Sequence, residues 1–281
     1  MRSLHLMALL MMLGAIFIPP RTQAAEVDYG LEADVYLWYA SLDMAQYQQR
    51  LAKDAGLVDL AEYAGAEIRG GAHHIMSITP IAQSQDGSEV EVEIEFLLAS
   101  AMEIKAHSEV RGQYVVQRLN LDNLGLVRSS VTLVNEYDDF TSRYRAAAPN
   151  NQIRAALYAW TQSLDSLDGA RLFSLMATDA SFSGPEDPSQ TLGQYLAYLK
   201  RLEHSDSRRV IKNLTLTPET AGIYRLNFEY QWTATNNQGE VELAQVGVVM
   251  LLSVSQQGVK VDLYRAQYLP PVTDLGAEVR C

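Results

Sequence analysis

The sequence predicts an α+β protein built from two tandem copies of one unit, each with N-terminal helices packed on a curved, mainly antiparallel sheet. Three observations predict this. The eight-residue pattern Y-x-W-x-x-S-L-D occurs twice, as YLWYASLD from Tyr36 and as YAWTQSLD from Tyr158, 122 positions apart. Around each occurrence large apolar residues recur at i, i+4, i+7 and i+11: Leu31, Val35, Trp38 and Leu42, then Ile153, Leu157, Trp160 and Leu164. That spacing draws a single apolar stripe along a helix, and the stripe repeats with the letters. Downstream, in both copies, the period falls to two. SEVEVEIEFL sets Val90, Val92, Ile94, Phe96 and Leu98 against Glu89, Glu91, Glu93 and Glu95, and IYRLNFEYQW sets Tyr224, Leu226, Phe228, Tyr230 and Trp232 on one face. Alternation of this kind is a half-buried strand. Helices followed by a run of strands give helices on one face of an antiparallel sheet.

The elements follow in chain order. Residues 1–24 read as a secretory signal peptide: a basic start in MRSLHL, the apolar run MALLMMLGAIFI, and PPRTQA ending on small residues. A run of about a dozen apolar residues is short for a bilayer, so an uncleaved anchor is the weaker alternative. Cleavage is expected near Ala24, sending the chain to the periplasm or the medium with no membrane span left. The first copy is expected over residues 26–137. After its Trp38 helix come KDAGL, a short helix in DLAEYAGAEI, and strands in HHIMSITPI, SEVEVEIEFL, GQYVVQRLNL and GLVRSSVTLV. Residues 138–149, DDFTSRYRAAAP, read as a linker. The second copy is expected over residues 150–269. It opens with Asn150 or Asn151 as helix N-cap, continues with a second helix and then a further one in TLGQYLAYLKRL, and ends in about four strands from RRVIKNLTL to GVKVDLYRAQY. Residues 270–281 form a tail.

Composition bounds the function. The chain has 281 residues, 48% apolar and 20% charged, enough for two folded domains. Its formal charge is −12, and −14 without residues 1–24, which repels phosphate backbones and argues against nucleic acid as a partner. The single cysteine, Cys281, excludes an internal disulfide; it is either incidental or pairs between chains. No spacing of His and Cys suits a metal, and no glycine-rich phosphate loop or G-x-S-x-G elbow is present, so no cofactor is expected.

The stretch LDGARLFSLMATDASFSGP, Leu167 to Pro185, resembles the nuclear transport factor 2-like superfamily, which includes the SnoaL-like polyketide cyclases and the ketosteroid isomerases. The resemblance covers residues 150–269, and the first copy follows by its match to the second. It implies cone-shaped domains whose concave sheet lines a pocket that the helices close. Members often dimerise through their sheets, so it also implies an intrachain pseudo-dimer. Trp160 falls near a position where several members carry a pocket aromatic. The isomerase base position falls on or near Gly184 and the oxyanion-side acid near Val248, both without acidic groups. In the first copy Asp59 falls near the base position.

Candidate site residues each have two readings. Asp59 is either a solvated loop carboxylate or a base with raised pKa, walled by Trp38 and Leu57, with Tyr36 or His74 as the acid. His73 and His74 point to opposite strand faces, so at most one enters a pocket. Arg208 and Arg209, their counterparts, are either surface charges or a greeting for an anion at the pocket mouth. Asp43 and Asp165, preceded by Ser41 and Ser163, read as helix-end capping groups. The row Tyr224, Phe228, Tyr230 and Trp232, with Trp160 and Tyr195, is either plain core or the wall of an apolar ligand pocket. Three functions therefore stay open: a non-catalytic binder of a small apolar molecule or of an envelope protein, a SnoaL-like isomerase, cyclase or epoxide hydrolase, and a structural module of the envelope.

Overall fold

The computed structural model describes residues 27–43, 66–67, 73–84, 87–100, 110–122, 125–137, 147–255 and 257–270. The expected signal peptide, Asp59, the KDAGL segment and most of the tail lie outside them. The first half begins with helix α1 (Tyr29–Asp43), followed by strands β1 (Ala66–Glu67), β2 (His73–Ser84), β3 (Gly87–Ser100), β4 (Val110–Asp122) and β5 (Gly125–Tyr137). The second half runs α2 (Ala147–Asp165), α3 (Gly169–Leu175), β6 (Met176–Ser183), α4 (Leu192–Arg201), β7 (Ser205–Thr220), β8 (Ile223–Thr235), β9 (Val241–Ser255) and β10 (Gly258–Tyr268). The expected α+β class stands: each half carries a helix bearing the repeated pattern and a four-stranded antiparallel meander, β2 to β5 and β7 to β10.

Burial follows the apolar periods. Ile153, Leu157, Trp160 and Leu164 of α2 are buried, as are Val35 and Trp38 of α1. On β3, Val90, Val92 and Ile94 are buried while Glu89, Glu91 and Glu93 keep contact with solvent. Glu95 departs from that solvated face and is buried, paired across the ladder with His74. On β8, Leu226, Phe228 and Tyr230 are buried. The expected turns are tight: Gly222 and Gly258 sit at φ +78° and +111°, backbone that side chains with a Cβ rarely adopt.

Two expectations need correction. Helix α2 begins at Ala147, with Pro149 in its first turn, where a missing N–H costs nothing. Asn151 is therefore inside the helix and is not its cap. Its Nδ2 donates instead to the carbonyl of His73, 2.9 Å away. Ala66 and Glu67, expected to close a short helix, pair with Ser100 and Ala99. The reason is that β2 covers β3 only from Gly87 to Phe96, and the exposed main chain beyond it takes another strand. The second sheet is mainly antiparallel, as expected; β6 runs parallel to β10 and gives the order β6-β10-β9-β8-β7.

Among the described residues the two halves meet through their first helices, α1 lying along α2. Asn151 of α2 reaches β2 of the first half, and Tyr29 of α1 accepts a hydrogen bond from the Ile211 N–H on β7 of the second half, at 2.7 Å. Tyr29 stacks on Tyr158 with ring centroids 5.2 Å apart. The Arg154 guanidinium lies 5.8 Å from the centre of the Tyr36 ring and donates to the Tyr158 hydroxyl at 3.2 Å. Among the described residues no helix is long and apolar enough to cross a membrane.

Candidate ligand cavity

Helix α4 is set by its ends. Thr191 accepts from the Gln194 N–H while the Gln194 side chain accepts from the Thr191 N–H, a reciprocal box that fixes the first turn. Its apolar face then turns Tyr195 and Leu196 inward. Between α4, the Pro185–Glu186 segment after β6, and the face of β7, β8 and β9 lies a cavity of about 320 Å³. That volume is at the lower end of what small-ligand sites need. Tyr195, Tyr198, Tyr230, Trp232 and Tyr268 supply the aromatic walls, and Arg209, His204, Glu186 and Glu242 the polar groups.

The charged groups are held. Arg209 is 2% exposed, and its guanidinium forms an ion pair with Asp165 at the end of α2. The Arg209 main-chain N–H also donates to Asp165 Oδ2 at 3.0 Å. The guanidinium lies 5.6 Å from the Tyr230 ring centre and donates to the Tyr195 hydroxyl. Burial pushes the Asp165 carboxyl above its ordinary value, and Arg209 opposes that rise. Burial also pushes the Tyr195 hydroxyl up to about 12, so it stays a neutral phenol near pH 7. At the mouth, His204 Nε2 lies 3.3 Å from Glu242 Oε2, and the Tyr268 hydroxyl donates to Glu186. Trp232 donates to Ser207 Oγ at 3.0 Å, with its ring 5.3 Å from that of His204.

The structure brings together Tyr195, Tyr230, Trp232 and Arg209 of the sequence-predicted site, and places the others elsewhere. Arg209 is not at the mouth: its strand neighbour across the ladder is Trp232, and alternation turns it inward with Ile211. Asp165 does not cap a helix; the short helix α3 is capped by Asp168, whose side chain accepts from the Arg171 N–H. Trp160 is core, 5.3 Å from Tyr264, because the apolar stripe of α2 faces the middle of the sheet. Phe228 is buried, Tyr224 packs against the same core, and neither lines the cavity. Trp38 is likewise buried in the core.

His73 is not at a mouth either. It is buried beneath the Tyr39 ring, 5.3 Å away, since alternation turns it toward α1. Tyr36 and His74 both lie near Arg154, away from the cavity; burial raises the Tyr36 hydroxyl and lowers His74. Arg208 is half-buried, its guanidinium 3.5 Å from the Val27 carbonyl. At Gly184 a Cβ would meet the Tyr195 ring at 3.2 Å, so a side chain there would press on a wall of the cavity. Among the described residues no group of three or more His, Cys, Asp or Glu comes together as a metal site.

Sequence reasoning missed Tyr198, His204, Glu186, Glu242 and Tyr268 as cavity groups. Helical spacing offered a signal for one, since Tyr198 follows Tyr195 by three residues on α4. The others come from loop and strand ends that only the folded sheet brings together.

No protein-family model matches the chain, and comparison with curated proteins gives no match. Solved structures do match. A candidate dehydratase from the nuclear transport factor 2-like family of Streptomyces avermitilis is 13% identical, with 43% of this chain and 97% of that one covered and a TM-score of 0.38. The beta subunit of a candidate aromatic-ring-hydroxylating dioxygenase from Novosphingobium aromaticivorans is 17% identical, with 46% and 95% covered and a TM-score of 0.37. An uncharacterized protein with a cystatin-like fold from Caulobacter vibrioides is 12% identical, with 43% and 90% covered and a TM-score of 0.37.

Proposed function

We propose that the protein is an exported binder of a small, largely apolar molecule, held in the second-half cavity and released unchanged. The observation that carries this reading is the cavity lining: aromatic walls, with each charged group already engaged by another. Arg209 is tied to Asp165, His204 to Glu242 and Glu186 to Tyr268. A general base needs a basic lone pair aimed at the reacting proton. A binder needs apolar faces and a few fixed polar groups to orient its guest, which is what this lining offers. Leu243 and Tyr268, 61% and 45% exposed, add apolar surface at the rim where a guest enters.

The two halves, on this reading, are a fused pair related by an approximate two-fold axis. A two-fold interface sets equivalent patches against each other. The two bonds across the helices support that relation. Tyr29 and Asn151 are 122 positions apart, the spacing of the repeated pattern. By ladder position the counterpart of His73 is Ile211, not Arg208 as the sequence match implies, since the two lie opposite Phe96 and Tyr230 of the two corresponding strands.

Mass spectrometry of the purified chain under native conditions tests the binding reading. The expected result is an added mass in the wild type that is lost in Trp232→Ala. A folded chain that carries no added mass and takes up no aromatic probe overturns it.

A further inference from the structure

The charge on the cavity walls points to a class of guest. Arg209 is balanced by Asp165, so the deepest charged pair contributes no net charge. The other acidic and basic side chains on the wall are Glu186, Glu242 and His204. Two carboxylates outweigh one imidazole even when that imidazole is protonated. Both carboxylates are fixed by neighbours. Glu186 accepts from Tyr268, and Glu242 accepts from Asn236 Nδ2 at 3.2 Å besides its contact with His204. A carboxylate has about four acceptor positions, so these bonds leave room for a donor from a guest.

The aromatic groups reinforce that sign. The face of an aromatic ring carries negative charge density and attracts a cation, most of all where water is excluded. The fold already uses this wall in that way, because the buried Arg209 guanidinium sits over the face of Tyr230. The chain as a whole, at −12, draws cations and repels anions on approach. An anionic guest would meet Glu186 and Glu242 at the entrance, and the charge of Arg209 behind them is balanced by Asp165.

We infer that the cavity selects an organic cation, an amine or quaternary ammonium on an apolar ring body, with the ring against Tyr230 and Trp232 and the nitrogen toward Glu186 and Glu242. The inference rests on the reading of this cavity as a ligand site, and its test separates the two. Three naphthalene derivatives of one ring size serve as probes: neutral naphthalenemethanol, cationic naphthylmethyl-trimethylammonium and anionic naphthalenesulfonate. Calorimetric titration of the full chain is expected to rank the ammonium at least about tenfold tighter than the alcohol, and the sulfonate weakest. Glu186→Gln and Glu242→Gln, both at solvent-accessible positions, are expected to cut ammonium affinity several-fold while leaving the alcohol within about twofold, which also shows that the variants fold. Equal affinities for ammonium and alcohol, a preference for the sulfonate, or an ammonium preference that survives both substitutions together overturns the cation assignment and leaves the binding reading standing. Failure of all three probes to bind a folded chain overturns both.

Discussion

Tyr36 and Tyr158 open the two copies of the repeated pattern, and in the folded chain their rings meet, 5.5 Å between centroids. The same letters written 122 residues apart therefore lie face to face in space. Arg154 bridges them, with its guanidinium over Tyr36 and its Nη1 donating to the Tyr158 hydroxyl. The motif that occurs twice in the sequence is thus also part of the seam between the two halves.

Breaking one bond of that seam has a cost that can be measured. Asn151→Ala leaves the His73 carbonyl buried without the donor it now has, and Tyr29→Phe strips the acceptor from the Ile211 N–H. Each is expected to lower stability by about 0.5–1.5 kcal/mol, the range for one lost hydrogen bond. Urea denaturation followed by tryptophan fluorescence reads the effect. Loss below about half a kcal/mol in both variants would refute the role given to these bonds.

The Arg209–Asp165 pair predicts an asymmetry between breaking and replacing. Arg209→Met strands the largely buried Asp165 carboxylate at the end of α2 and is expected to cost about 3–5 kcal/mol. The double change Arg209→Met with Asp165→Leu removes both charges and is expected to recover most of that loss. The same denaturation assay decides, and a double variant as unstable as the single one sinks the argument.

Glu32 predicts a pH dependence. Burial raises its carboxyl from 4.5 to about 7, against the opposing pull of Arg154 and with a small push from Asp28. The folded state therefore holds this proton more tightly than the unfolded state does. Its stabilising contribution is complete below pH 4.5, fades as the pH rises to about 7, and is gone above that. Discounted for solvent screening, the change is about 1 kcal/mol. The difference in stability between wild type and Glu32→Gln, measured from pH 4 to 8, is expected to shift by that amount in favour of the glutamine form as the pH rises. A flat difference refutes it.

Gly184→Ala tests the cavity wall. Its new Cβ would press on the Tyr195 ring at 3.2 Å, and Tyr195 must yield. A loss of about 1–3 kcal/mol in stability and a changed aromatic-probe affinity are expected. A variant indistinguishable from wild type in both would show that the ring is free to move.

Much of this fold was legible because two periods dominate it. The i, i+4, i+7, i+11 stripe identified the buried face of α2, and strict alternation identified the inward rows of β3 and β8. What failed has physical causes. Asn151 carries the letter of a cap, yet Pro149 lets the helix start before it, and the amide is spent on the other half of the chain. Arg208 and Arg209 look alike as adjacent surface charges. Only strand alternation separates them, turning Arg209 inward beside Trp232's strand and onto Asp165. Asp165 looked like a cap because it ends a helix, and no local signal announces a partner 44 residues away. Glu186, Glu242 and Tyr268 come from three separate chain segments, so their meeting depends on strand order, which spacing does not encode.

The crossed clasps between α1 and β7 and between α2 and β2 also determine how the molecule comes apart. Neither half can unravel without tearing main-chain partners from the other, so the described body is expected to melt as one cooperative unit, with a single transition seen alike by far-ultraviolet dichroism and by tryptophan emission. Expressed alone, either half would present the naked side of its leading helix to water, and would be held in solution only by finding a substitute for its lost twin.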